Sequence, residues 1–308
     1  MAGFDQAMHE FLVASYLEHV HQLYPILASD DFCLQKHQPA KTELGPRGLF
    51  IMYMVYSIAC HTLPGNDPRM VLLSDTAFDA AKGSLGAVTE KADAEALQAV
   101  CLLALRSLFE PQTGNLSQQL AFAQRLLVEV KVRDIGSAGP DHHQFAPILF
   151  CLGMQSAAAY SKKSAFPQPP SLVITTVPGA AAQLHDLCVL QWKCLTRPGS
   201  AIQDLRLLPG QNAPPLFLAV HAETSFLIKP CERSALSLLS LYMREDMVFN
   251  VFTQQWVHRA VIWLVSNSRR ETQQEGLHLA MRILDRCALK WSNARVLQET
   301  LQNPTGGG

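Results

Sequence analysis

Apolar positions recur at helical spacing along most of the chain, and the clearest run is Ala92 to Val132. Its first arm carries Leu97, Val100, Cys101, Ala104, Leu105 and Leu108, and its second carries Leu116, Leu120, Ala123, Leu127 and Val130, with Phe122 and Leu126 beside that stripe. This spacing predicts two antiparallel helices. Between them lie Glu110-Pro111-Gln112-Thr113-Gly114-Asn115. Pro111 is expected to end the first helix, because its ring cannot follow a helical carbonyl and it lacks an amide proton. Gly114 offers a free turn residue, and Asn115 or Ser117 can cap the second helix. A hairpin this apolar is expected to be buried on more than one side, with Ala104 and Ala123 permitting close approach and the other helices packed around it.

The rest of the chain extends the same pattern. Phe4 to Tyr24 presents one broad apolar face through Met8, Phe11, Leu12, Tyr16, Val20 and Leu23, and the helix should end near Pro25. A polar loop, Ala28 to Pro46, leads to Leu49–His61, apolar nearly all round and therefore expected in the middle of a bundle. A weaker helix is expected at Ser74–Ser84 and an Ala- and Leu-rich one at His142–Tyr160, with Pro147 near its start. The segment 162–230 is rich in Pro and Gly. Within it Ser171–Val177 and Leu216–Val220 have strand-like content, Ala180–Thr196 reads as helix, and Pro198-Gly199, Pro209-Gly210 and Pro214-Pro215 read as turns. Helical periodicity returns at Ser234–Met243, Met247–Val265, Thr272–Cys287 and Asn293–Leu301. No fixed-period repeat argues for a solenoid. The tail 303–308 is expected to be disordered.

Composition narrows the class. The 308 residues are 48% hydrophobic and only 17% charged, below the roughly 25% of an average soluble protein. That balance predicts much buried helical surface or an apolar face for a partner. The net charge is -1, and Lys162-Lys163 and Arg269-Arg270 are isolated pairs, so the basic footprint of a nucleic-acid binder is missing. The first residues show no signal-peptide pattern, and the longest apolar runs fall short of the roughly 18–20 residues that span a bilayer. The eight cysteines are expected to be reduced, mostly buried small hydrophobes of an intracellular protein.

Candidate chemistry is thin. No Cys-x-x-Cys pair, Gly-x-Ser-x-Gly elbow, phosphate loop or Gly-x-Gly-x-x-Gly fingerprint occurs. Glu18 and His21 have the spacing of di-metal bundles but no matching second pair, and His142-His143 reads as a helix start. His185, Asp186 and Cys188 are sequence neighbours, which rarely converge as a triad. Cys188 and Cys194 flank Trp192 on one apolar helix, and both read as core. Trp192, Trp256, Trp263 and Trp291 read as packing residues, with Trp256, Val257, Ala260, Val261 and Leu264 on one core face. No residue is nominated as catalytic, cofactor-binding or metal-ligating, and no cofactor is expected.

Tyr16-Leu17-Glu18-His19-Val20-His21-Gln22-Leu23-Tyr24-Pro25-Ile26-Leu27 resembles the opening helix of the fungal-specific transcription factor domain. This is the middle homology region of fungal zinc-binuclear-cluster transcription factors. In order, Leu49–Ala59 resembles the family's apolar second helix, Leu97–Leu105 its Leu-Gln-Ala-led hairpin arm, and Ala121–Val130 the return arm. Phe249-Asn250-Val251-Phe252 with Gln255-Trp256-Val257, and then Leu277–Leu301, resemble later helices. The family's N-terminal six-cysteine DNA-binding module is absent, and its mid-domain Arg-Arg and Gly-Arg-Pro signature has only a poor echo in Thr196-Arg197-Pro198-Gly199.

The resemblance implies an all-α, multi-helix bundle over 1–302, as one domain or two tightly fused halves, with an irregular middle at 162–230. It implies a transcription regulator of a fungal metabolic or secondary-metabolite gene cluster. The regulator would act in the nucleus, or alternatively the cytoplasm, through a DNA-binding protein partner or coactivator and a small-molecule effector. It would not contact DNA or a membrane directly, and it could form homo- or heterodimers. The alternative is a helical cyclase- or isomerase-like enzyme derived from this domain. Its best hints are His19, His21, His142, His143, His185 and the tryptophans.

Overall fold

The structure is a computed structural model that describes residues 4–28, 31, 34–35, 44–63, 67–133, 144–172, 179–197, 210 and 213–302, except the side chains of 68, 113 and 133. Among these residues the protein is all-helical, with twelve α-helices and no strand. They are α1 (Gln6–Tyr16), α2 (Pro46–Thr62), α3 (Pro68–Val88), α4 (Ala94–Ser107), α5 (Leu116–Arg133) and α6 (Phe145–Ala159). Then follow α7 (Gly179–Thr196), α8 (Pro215–Ile228), α9 (Glu232–Tyr242), α10 (Thr253–Asn267), α11 (Arg270–Ala288) and α12 (Asn293–Gln302). The chain divides into two compact units, Met1–Leu63 with Arg69–Gly153 and Ala165–Asp186, and Pro64–Pro68 with Met154–Ser164 and Leu187–Gly308.

In the first unit α2 packs on α1 and on α4, and α4 on α5. α2 is buried almost all round, as its pattern requires, from Phe50 and Ile51 to Ala59 and Cys60. The Asp93 side chain caps α4 by accepting from the amides of Glu95 and Ala96. The hairpin forms where its periodicity places it, and Ala104 and Ala123 are fully buried. Its turn differs from the sequence expectation. α4 stops at Ser107, and Pro111 opens a separate 3₁₀ turn, Pro111–Thr113, capped by Glu110. Gly114 is extended, not left-handed. A Cβ there would collide with the side chains of Gln119 and Ser107, so close approach is what selects glycine. Asn115 caps α5 through the Gln118 amide. α5 is also less enclosed than its pattern suggests: Leu120, Ala123, Leu126, Leu127 and Val130 are buried, but Phe122, Val128 and Val132 face solvent.

The first helix also departs from a regular repeat. It runs as α-helix only to Tyr16, and Leu17–His21 is a π-turn. One widened turn shifts the register of the side chains that follow, and Val20, Leu23 and Tyr24 all reach the core. α3 is longer than the predicted Ser74–Ser84 helix, because Pro68 starts it and its amide-free nitrogen suits a first turn.

In the second unit α8, α9, α10, α11 and α12 pack in sequence, with α9 also against α11 and α10 against α12. Leu216–Val220 is not a strand but the first turns of α8. Pro214-Pro215 does not break structure there; Pro215 is the first helical residue. The Ser171–Val177 candidate falls mainly outside the described residues. α10 begins at Thr253, six residues after the expected start at Met247. The cause is local: Asn250 Oδ1 accepts the Phe252 amide at 2.9 Å, and Thr253 Oγ1 accepts the Asn250 amide at 3.2 Å. These side-chain bonds compete with helix and hold a buried, irregular approach to α10. The expected core face of Trp256, Val257, Ala260, Val261 and Leu264 is fully buried.

Candidate functional site

Among the described residues, each unit buries an ionisable cluster built around an arginine or an acid. In the first, Arg106 on α4 is 1% exposed. Its Nε donates to Ser57 Oγ on α2 at 2.7 Å and its Nη2 to Asp75 Oδ1 on α3 at 3.0 Å. The guanidinium lies over the Phe78 ring, 3.8 Å from its centroid. Burial lowers the Arg106 pKa, opposed by Asp75, Glu110 and Asp79. Ser57 and Ser74 hydroxyls are 2.9 Å apart, and Ser74 Oγ lies 2.8 Å from His61 Nε2 and 2.9 Å from the Ser57 carbonyl. With the His61 proton on Nε2, Arg106 donates to Ser57, Ser57 to Ser74, His61 to Ser74, and Ser74 to the Ser57 carbonyl. In that arrangement Ser74 gives its proton to a backbone carbonyl rather than to a base. Ser57, His61, Ser74, Phe78 and Arg106 are all buried, so the arrangement cross-links α2, α3 and α4 rather than opening to a substrate.

The second unit buries an acid. Glu223 on α8 is 1% exposed and occupies the apolar stripe formed by Leu216, Ala219, Val220 and Phe226. Tyr242 of α9 donates to its Oε1 at 2.5 Å. Burial raises the Glu223 carboxyl from 4.5 to about 7, opposed by the Tyr242 hydrogen bond and by the charge of Arg259. Arg259 on α10 is partly buried, donates to the Ala158 carbonyl and lies over the Trp256 ring, 4.6 Å from its centroid. Burial lowers its pKa, and Glu223 raises it in opposition.

Arg259 also faces a cavity of about 460 Å³ between α8 and α10. Phe226, Leu227, Ile262 and Trp263 form its apolar wall, and His258, Ser266 and Asn267 add polar groups. Burial lowers the His258 pKa, which favours neutral imidazole. A second cavity of about 420 Å³, between α8 and α9, contains His221, Lys229, Cys231 and Arg233. The Cys231 sulfur caps α9 by accepting from the Ser234 amide, its thiol donates to Ser234 Oγ, and hydrogen bonding with Ser234 lowers its pKa.

The residues singled out from the sequence disperse. His21 is buried in the π-turn with its pKa lowered by burial, while Glu18 on the same turn is exposed, so the two do not converge on a metal. His185 points its Nε2 at the Pro170 carbonyl, 3.1 Å away. His142 and His143 lie outside the described residues. Trp256 and Trp291 are core, whereas Trp192 and Trp263 are partly exposed and Trp263 lines the α8–α10 cavity. Cys188 is buried, but Cys194 is only partly so. Among the described residues no group of three or more His, Cys, Asp or Glu could hold a metal ion, and no helix is long and apolar enough to cross a membrane.

The sequence reading did not single out Glu223, Arg259 or His258. Glu223 had a signal: it falls at helical spacing within an apolar stripe, which becomes visible only once Leu216–Val220 is read as helix. Arg259 had none, since it lies beside the core face that runs from Trp256 to Leu264 rather than within it.

No family model matches the chain, and no curated protein and no solved structure is significantly similar to it.

Proposed function

We propose that this chain is a helical regulatory domain of the fungal transcription factor type, acting on gene expression through a DNA-binding protein partner or coactivator and a small-molecule effector. One observation carries the reading. The two most specific pieces of the sequence resemblance touch: Gln98, of the Leu-Gln-Ala arm, donates from Nε2 to the carbonyl of Ile26, which closes the opening motif, at 3.1 Å. Arg47 at the start of α2 donates to Gln98 Oε1 at 2.9 Å. A buried side-chain amide thus joins these two segments. The motif's Tyr16, Val20, Leu23, Tyr24, Ile26 and Leu27 are all buried, which accounts for their apolar character.

The net charge of -1 and the lack of basic runs support action through a partner rather than on DNA. On this reading the chain works in the nucleus and controls a metabolic or secondary-metabolite gene set.

Two experiments test it. Fusion of the chain to a heterologous DNA-binding domain is expected to change the output of a reporter carrying that domain's site. In gel shifts the chain alone is expected to leave DNA unbound at physiological salt. Tight, sequence-specific DNA binding by the chain alone would overturn the partner-dependent reading, and an unchanged reporter would count against regulation.

A further inference from the structure

We propose that the cavity between α8 and α10 binds a small organic anion, whose apolar body packs on Phe226, Leu227, Ile262 and Trp263 and whose carboxylate pairs with Arg259. The proposal deepens the regulatory reading and rests on it for the word effector, but the binding itself does not depend on that reading.

The cavity volume, about 460 Å³, falls in the range of small-molecule sites. Its wall is mostly apolar, and no residue lining it is acidic. Arg259 is held in place by the Ala158 carbonyl and the Trp256 ring. A planar guanidinium has five N–H donors, and a fixed one suits a carboxylate, which it can meet with two parallel hydrogen bonds. The acid whose charge acts on Arg259, Glu223, is fully buried and accepts a hydrogen bond from Tyr242. With its carboxyl raised to about 7, Glu223 is only partly ionised near neutrality and leaves positive charge at the cavity. A ligand carboxylate completes that balance. Neutral His258 adds a polar contact without a competing charge.

The charge and the apolar wall together select an amphipathic monoanion. A phosphate or other compact polyanion gains nothing from the indole and aliphatic wall, and a neutral hydrocarbon leaves Arg259 unmatched.

Calorimetric titration of the whole chain with 2-naphthoate, and with its neutral amide 2-naphthamide, tests this. Naphthoate is expected to bind at least tenfold more tightly than the amide. Ile262 is 46% exposed, so Ile262→Glu is expected to leave the fold intact while placing a carboxylate at the cavity wall. That variant should weaken naphthoate binding at least tenfold with an unchanged thermal melt, and should weaken the amide, which loses only the Ile262 wall contact, by less. Arg259→Gln should remove the preference for the anion, and its melt shows whether it has folded. Equal binding of naphthoate and amide, or wild-type naphthoate affinity in Ile262→Glu, would overturn the proposal. Neither result depends on the reporter assay, so the cavity and the regulatory reading can fail separately.

Discussion

Two arginines set the two units apart. Arg106 in the first is sealed: its neighbours are serine hydroxyls, an aromatic ring and the half-exposed Asp75. Arg259 in the second feels the charge of a fully buried acid, Glu223, and lines a cavity. A cation whose hydrogen bonds all close inside the fold ties helices together and recognises nothing. A cation balanced by a half-ionised acid and facing an apolar cavity is arranged to meet another anion. The difference lies less in the arginine than in which partner is buried. At Arg106 the cation is desolvated and its acid wet, and in the second unit the acid is the more deeply buried partner.

The largest expected effect comes from breaking the sealed site. Arg106→Leu strands Ser57 and removes the bridge to Asp75, and is expected to cost about 3 kcal/mol, the lower end for a broken buried charge network because Asp75 stays half solvated. Urea unfolding measures it. A loss under about 1 kcal/mol would show that Arg106 is not the tie between α2, α3 and α4.

Glu223→Gln sharpens the contrast in the opposite direction. An acid whose pKa is raised on folding binds more protons folded than unfolded, so it favours the fold at low pH and that contribution fades as pH rises from 4.5 through about 7. Glutamine keeps an acceptor for Tyr242 and cannot ionise. The variant is therefore expected to gain stability over wild type as pH rises, reaching on the order of 2–3 kcal/mol at pH 8 and almost nothing at pH 4. A variant less stable than wild type at pH 8 would mean that Glu223 and Arg259 form a fully ionised pair, and the cavity would lose its spare positive charge.

Gly276→Ala probes the support behind α10. A Cβ at Gly276 would collide with Cδ1 of the fully buried Leu264, so overpacking is expected to cost about 1–2 kcal/mol in thermal melts. A neutral result would show that α10 shifts easily against α11 and that the cavity wall is soft.

The smallest effect is kinetic. Ser234 lowers the Cys231 thiol, while burial raises Cys60 and Cys287 to about 12. A thiol reagent at pH 7.5 is expected to label Cys231 ahead of these two, and Cys231→Ser should remove that early modification with stability changed by less than about 0.5 kcal/mol, because serine also caps helices well. Simultaneous labelling of Cys60, Cys231 and Cys287 would indicate opening of both units.

Much of this architecture was legible in hydrophobic spacing. The α4–α5 hairpin, the all-round burial of α2 and the Trp256 face of α10 follow from apolar positions alone. What periodicity missed was set by single side chains. Asn250 and Thr253 delay α10 by bonding to backbone amides. The π-turn at Leu17–His21 changes register without breaking the apolar pattern. α8 was obscured by Pro214-Pro215, read as a turn although proline also begins helices, and by β-strand-like content in the five-residue window Leu216–Val220. That error hid the site as well. Glu223 is unremarkable in a loop and conspicuous on a buried helical stripe, and Arg259 has meaning only beside it.

The central claim is that the chain regulates gene expression. The most direct measurement is a strain of the native host lacking this gene, with transcripts and small-molecule products profiled together. The account predicts that a coherent set of genes changes expression and that its product changes with it. Steady transcripts with one accumulating intermediate would contradict it and mark the chain as an enzyme.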